Sequence, residues 1–276
     1  MRDEFRRLMS CALAAFLLLF GGAASHAQSQ LICRIILDVE SGAVLLEEGD
    51  CATRVTPAST FKLPLAVAGF DAGLLQSRDQ PVRHWQEGEP DWGGASWRGA
   101  VTPAIWMRDS VVWFSQRLTR AMGAERLTSY ARDFGYGNAD FSGDPGFDNG
   151  LERAWIASSL AISPREQVRF LARLLGDDLP ASAEAQAQAR AITVQSEAGG
   201  WRIWGKTGAA YPRRADRSFD RARGYGWFVG WAERGGRRLV FAHLRQDRAR
   251  HEGSPGQRSR DAFLAAWPQL SAGFGD

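Results

Sequence analysis

A serine and a lysine three residues apart are the first place where this 276-residue chain could do chemistry: Ser59 and Lys62, in Pro57-Ala58-Ser59-Thr60-Phe61-Lys62. At the start of a helix this spacing puts both on one face, where hydroxyl and amine can meet. A serine hydroxyl is a weak nucleophile until a base takes its proton. A lysine amine can be that base only if burial draws its pKa down from about 10.4, or if it is converted to another species. The helix start adds free backbone N–H groups and the positive end of the dipole beside Ser59. The chain's 34 basic residues include only two lysines, Lys62 and Lys206; the rest are arginine. Codon bias accounts for the bulk of the arginine. A site that needs an amine able to lose its proton cannot use arginine, so both lysines are candidates for chemistry.

Three further motifs follow in chain order. Ser110-Val111-Val112 offers a second hydroxyl that could pass protons between nucleophile and leaving group. Tyr136-Gly137-Asn138 lies between predicted helices and by itself reads as a turn. Lys206-Thr207-Gly208 closes a predicted strand. A cation and a hydroxyl there can hold a substrate carboxylate, and Gly208 lets a substrate backbone come close.

The elements that must position these groups are helical in the middle of the chain and strand-rich at its ends. Residues 31–39 and 43–47 read as strands around Glu40-Ser41-Gly42. A helix is predicted over 57–75, with Pro64 implying a tight or kinked first turn. Residues 76–101 have no period. Thr102-Pro103 is an N-cap followed by proline at the first helical position, opening a helix expected to reach about Arg120. Further helices fit 124–132, the capping box Ser163-Pro164-Arg165-Glu166 with its apolar stripe Val168, Leu171, Leu174 and Leu175, and 181–191. Residues 201–206, 225–231 and 237–244 read as strands, with Glu233-Arg234-Gly235-Gly236 as a hairpin turn, and 258–270 as a closing helix. This order predicts an α/β (α+β) fold, one sheet built from both chain ends with an inserted helical part. The expected division is 28–58 with 193–276 as the sheet domain, and 59–192 as the mainly helical domain.

Composition excludes several classes. A hydrophobic fraction of 45% with 11 Trp is not that of a disordered chain, and a net charge of +3 argues against a nucleic-acid partner. Residues 1–27 read as a secretory signal: Arg2, Arg6 and Arg7, an apolar run from Leu13 to Phe20, then Ser25-His26-Ala27. That run is too short to span a bilayer, so no membrane anchor is expected and the protein is expected to be periplasmic. Export permits a disulfide between Cys33 and Cys51, since hairpin pairing puts Cys33 opposite residue 50 or so; two buried free thiols are the alternative. His84, His243 and His251 match no triad or zinc spacing, and no metal is expected.

The order S-x-x-K, S-x-V, Y-G-N, K-T-G resembles the class D (oxacillinase-type) serine β-lactamases. The likeness extends to Cys51, to Trp155 with the later Ile162-Ser163, and to Gly226-Trp227-Phe228. It implies a serine β-lactamase/penicillin-binding-protein-like fold, a small-molecule β-lactam as partner, and a monomer or homodimer. Residue by residue, it implies that Ser59 is acylated and that Lys62 is carboxylated by CO2 to act as general base, with no other cofactor. Phe61, Val112 and Trp155 would supply the apolar surroundings, and the Trp155 N–H would bond the carboxylated amine. Ser110, assisted by Lys206, would protonate the lactam nitrogen. Thr207 and Arg260 would bind the substrate carboxylate; Arg258 fits the family's pattern less well. The backbone N–H groups of Ser59 and Ala209 would form the oxyanion hole.

Two stretches, 143–153 and 211–223, are longer than in many relatives and could reshape substrate range. Two other readings share parts of the pattern. Penicillin-binding and sensor proteins use the same motifs but stay acylated. Gly200 to Thr207 also satisfies the phosphate-loop pattern G-x-x-x-x-G-K-T, but its interior Trp-Arg-Ile-Trp favours a strand and Pro212 prevents a following helix.

Overall fold

The computed structural model describes residues 29–274; the expected signal segment 1–27 lies outside them. In chain order the elements are β1 (Ser29–Asp38), β2 (Val44–Gly49), α1 (Lys62–Asp71), β3 (Arg83–His84), α2 (Ala95–Arg98), β4 (Ala100–Val101), α3 (Pro103–Asp109), α4 (Val112–Met122), α5 (Ala124–Asp133), α6 (Gly150–Arg153), α7 (Pro164–Leu175), α8 (Ala183–Ala191), β5 (Gln195–Ala198), β6 (Trp201–Ala210), β7 (Tyr225–Arg234), β8 (Arg237–Asp247) and α9 (Pro255–Ser271). Short 3-10 turns precede α1 and follow α9.

Six strands form one sheet in the order β2-β1-β8-β7-β6-β5, and every pairing is antiparallel. Both chain ends contribute to it. The central strands β7 and β8 are buried on both faces, and the two-residue alternation of a strand sorts their side chains between two cores. Trp227, Val229 and Trp231 of β7 with Val240, Ala242 and Leu244 of β8 point toward the helices. Phe228, Leu239 and Phe241 point the other way, against Phe263 and Trp267 of α9. Helix α1 runs through the helical core and is buried from Lys62 to Gly69, as expected of a helix that is apolar nearly all round.

Cys33 pairs with Gly49 across the first hairpin, and Cys33 and Cys51 form a disulfide with Cα atoms 5.1 Å apart. The capping box opens α7 as the sequence predicts: the Ser163 hydroxyl accepts from the Glu166 N–H while the Glu166 carboxylate accepts from the Ser163 N–H.

The structure corrects several predicted boundaries. The helix expected over 57–75 starts as a 3-10 turn, Ala58–Phe61, and α1 stops at Asp71. The helix expected from Thr102 to about Arg120 is two helices, broken at Ser110, whose φ of 62° is left-handed. The sequence pattern does not predict strand β5, and β6 runs four residues further than expected. The segment Trp201–Ala210 is one continuous strand with no helix after it, which removes the phosphate-loop reading.

Candidate active site

The four motifs meet where the 3-10 turn before α1 packs against the C-terminal half of β6. Beyond residue 205 β6 has no strand partner on the side away from β7 among the described residues, because β5 pairs only with residues 201–204 and the Val194 carbonyl takes the Gly205 N–H. The turn fills that space. Gly208 is required there: a Cβ on it would stand 2.8 Å from the Pro57 carbonyl oxygen and 3.1 Å from the Thr60 methyl. Any side chain at 208 would push the serine turn off the strand.

Lys62 is 1% exposed, yet its Nζ lies 3.4 Å from Ser59 Oγ. Burial holds its pKa well below the usual lysine range, and the neighbouring charge of Lys206 acts in the same direction. Lys206, on β6, places its Nζ 3.0 Å from Ser110 Oγ and 3.0 Å from the Thr207 carbonyl. Burial lowers its pKa to about 7, against the opposing pull of Asp109. Two lysines, two hydroxyls and the start of α1 thus form one cluster.

Ser110 owes its place to the left-handed turn between α3 and α4. A non-glycine residue in that conformation costs about 1–2 kcal/mol, and a frame of indoles holds it. Trp97 Nε1 donates to the Asp109 carbonyl, Trp113 Nε1 donates to the Trp97 carbonyl, and the Val111 N–H donates to the Trp106 carbonyl. Sequence reasoning missed Trp97 and Asp109; neither stands in a recognisable motif.

Behind Ser59, Phe61 stacks on Trp155 with centroids 5.2 Å apart, and Val112 is buried at the start of α4. Trp155 is buried, and its Nε1 has no hydrogen-bond partner among the described residues. A buried indole N–H left so is costly unless something accepts from it. Thr60 Oγ1 donates to the Pro57 carbonyl and accepts from Gln167 Nε2, with the Tyr136 hydroxyl 3.5 Å away. Burial raises the Tyr136 pKa far above the ordinary phenol value, so it stays neutral.

The rest of Tyr136-Gly137-Asn138 is structural in these contacts. Gly137 has φ 61°, and a Cβ on it would meet the Ala161 carbonyl oxygen at 2.1 Å. Asn138 donates to the Ser159 carbonyl and accepts from the Ala161 N–H. The motif therefore clamps the segment leading to Ile162-Ser163.

The Gly205 N–H donates to the Val194 carbonyl. By strand alternation the N–H groups of Thr207 and Ala209 leave β6 on that same side, away from β7. Helix α9 approaches from the other side: a Cβ on Gly256 would meet the Gly208 carbonyl oxygen at 2.7 Å. Arg260 lies one turn further along α9, where its guanidinium bonds Asp261 at the surface. Arg258 is held by the Asp247 carboxylate and the Glu252 carbonyl. No contact draws either arginine to Thr207 among the described residues.

The two long stretches lie against one another. Asp144 is bonded by Asn149 Nδ2 and the Ser158 hydroxyl and ion-paired with Arg213 at 3.3 Å and Arg153 at 3.6 Å. Arg217 covers Phe147 at 4.6 Å. The loop leaving β6 is thereby fastened to the loop that leads, through α6, to Trp155.

Fold and cluster define a serine acyl-transfer protein of the penicillin-recognising class. The penicillin binding protein transpeptidase domain family matches residues 32–266. Beta-lactamase OXA-9 of Klebsiella pneumoniae is 44% identical over 251 residues, 90% of this chain and 90% of that one. Beta-lactamase OXA-1 of Escherichia coli is 35% identical over 213 residues, 76% of this chain and 74% of its own. The crystal structure of the OXA-427 class D β-lactamase superposes with a TM-score of 0.80 at 42% identity, covering 87% of this chain and 98% of that one. This chain belongs to the class D β-lactamase family.

Proposed function

We propose that this enzyme hydrolyses β-lactams through a covalent acyl-enzyme on Ser59, with N-carboxylated Lys62 as its general base. The observation that carries the reading is the pairing of a buried Lys62 amine, its pKa drawn down, next to Ser59 with a buried Trp155 N–H that has no acceptor among the described residues. CO2 adds only to an unprotonated amine, and the resulting carboxylate needs a donor. Burial of Lys62 favours the first condition, and Trp155, stacked on Phe61, offers a donor for the second. Once carboxylated, Lys62 supplies a base that can take the Ser59 proton and later the proton of the hydrolytic water.

The remaining steps fall to this chain's own groups. Ser59 Oγ attacks the lactam carbonyl, and the N–H groups of Ser59 and Ala209 hold the oxygen as it becomes negative. Ser110 gives its proton to the departing lactam nitrogen and is resupplied by Lys206, 3.0 Å away. Thr207 binds the substrate carboxylate together with Arg260, which must release Asp261 to reach it. Gly208 keeps the strand open to the substrate backbone. The cleft lies between a sheet domain of 28–58 with 193–276 and a helical domain of 59–192. Residues 1–27 would direct the protein to the periplasm; no helix among the described residues is long and apolar enough to cross a membrane.

The test is Lys62→Ala. Steady-state turnover of a penicillin should fall by about 10²–10⁴-fold, and mass spectrometry should show the substrate mass retained on the protein. Acid-treated wild type should regain activity when bicarbonate is added. Normal turnover by Lys62→Ala would refute the assignment of the base. A wild-type burst of one equivalent of nitrocefin product without steady-state turnover would instead favour the acylated-binder reading.

A further inference from the structure

The Trp155 indole touches the rest of the site through its ring stack on Phe61 and forms no side-chain hydrogen bond among the described residues. Apart from that packing, the backbone that carries the indole fixes where its N–H lies. That backbone is a strained turn: Ala157 has φ 51°, a conformation a non-glycine residue holds only when its surroundings impose it. The hydroxyl of Thr56 bonds that turn on either side of Ile156. Thr56 Oγ1 donates to the Trp155 carbonyl at 2.9 Å and accepts from the Ala157 N–H at 3.0 Å. Both polar groups of the turn that flank Ile156 thus end on one oxygen.

Thr56 is itself fixed from both sides. Its carbonyl accepts from Trp227 Nε1 of β7 at 2.9 Å, and the preceding residue, Val55, exchanges backbone bonds with Ile162 at 3.0 and 2.9 Å. Three residues later in the chain comes Ser59. Thr56 therefore ties the sheet to the segment entering the nucleophile turn through its backbone, and ties that segment to the turn bearing Trp155 through its hydroxyl. Thr56 is absent from the motifs read in the sequence.

We infer that Thr56 is a positioning residue for the carboxylation of Lys62: through Trp155 and Ala157 it holds the indole N–H where the carboxylated amine needs a donor. This rests on the reading given under Proposed function. In the step concerned, the Lys62 Nζ lone pair forms a bond to the carbon of CO2, one C–O π pair moves onto oxygen, and one N–H proton leaves to solvent. Nothing is oxidised or reduced. Thr56 touches none of these atoms; it acts through the indole.

The experiment is a titration of the full enzyme with ¹³C-bicarbonate, following the lysine N-carboxylate carbon by NMR, in wild type, Thr56→Val and Thr56→Ser. Valine keeps the shape of threonine and removes both hydrogen bonds; serine keeps both. Thr56→Val should need about tenfold more bicarbonate for half-occupancy, the order expected for loss of one buried bond network. Thr56→Ser should stay within about twofold of wild type. At saturating bicarbonate the kcat of Thr56→Val should recover. Should Thr56→Val not fold, Thr56→Ala is titrated in its place, with the same shift expected. A Thr56→Val curve that overlays wild type, even in a protein of lower melting temperature, would overturn the inference and make Thr56 merely structural. A wild type with no labelled lysine signal would instead overturn the parent reading, so the two failures are distinguishable.

Discussion

The two faces of the central sheet bury ionisable nitrogens in opposite ways. On the helical face, Lys62 and Lys206 are enclosed, but each amine is aimed at a hydroxyl, Ser59 or Ser110. On the α9 face, His243 lies across from Phe228 of β7, and its ring packs on Phe263 with centroids 5.4 Å apart. Its Nδ1 is 3.1 Å from the Ser259 carbonyl, and its Nε2 has no partner among the described residues. Burial, with the nearby charges of Arg34 and Arg245, lowers the His243 pKa to about 3. Both faces thus hold basic groups in their neutral direction at a cost in stability. Only the lysines have a reactive neighbour to show for it. A depressed pKa alone therefore does not mark a catalytic group; geometry toward a nucleophile or leaving group does.

Three substitutions would break or sharpen this contrast. The largest expected effect is that of Lys206→Ala, which should lower kcat/KM for a penicillin by about 10²–10⁴-fold in steady-state assays. It should not lower the melting temperature near pH 8. Between about pH 7 and 10.5 the unfolded chain binds a proton on this lysine that the folded one does not, so the native amine is a stability cost there. A large loss of melting temperature would mean that Lys206 is a structural group.

His243→Leu should leave kcat/KM within about twofold, as expected for a residue outside the transition-state contacts. It should flatten the acid side of the melting-temperature profile. The folded pKa of His243 lies below its ordinary value of 6.5, so its neutral form favours folding above that pH. This contribution is lost progressively as pH falls from about 6.5 toward 3. An unchanged acid limb in calorimetry would show that His243 is not what titrates.

The smallest effect is reserved for Asp109→Asn. Asp109 is the group that pulls the Lys206 pKa up against burial. Removing its charge should move any inflection of kcat/KM that reports Lys206 from near pH 7 to lower pH. A shift to higher pH would contradict the assigned sign.

Much of the cluster was legible because its chemistry is local. Ser59 and Lys62 share a turn, Lys206-Thr207-Gly208 share a strand, and lysine is scarce enough in this chain to be informative. The hairpin, the capping box of α7 and the closing helix are also set by short-range patterns. Ser110 was legible as a hydroxyl but not as a break in a helix, because the left-handed turn depends on indoles from residues 97 and 113. Strand β5 has no apolar alternation and exists because Gly199 and Gly200 fold it back on β6. The contacts of Arg260 with Asp261 and of Asp144 with Arg213 could not be read from spacing, since each depends on where long side chains come to rest.

The sequence by itself determined which groups could react and the order in which strands and helices would carry them, because hydroxyl, amine and turn chemistry belong to residues and their near neighbours. The tertiary structure decided which amines lose their water, which hydroxyl each one faces, and that one threonine would anchor the turn of Trp155. Desolvation and hydrogen-bond direction arise only when segments distant in the chain close around one another.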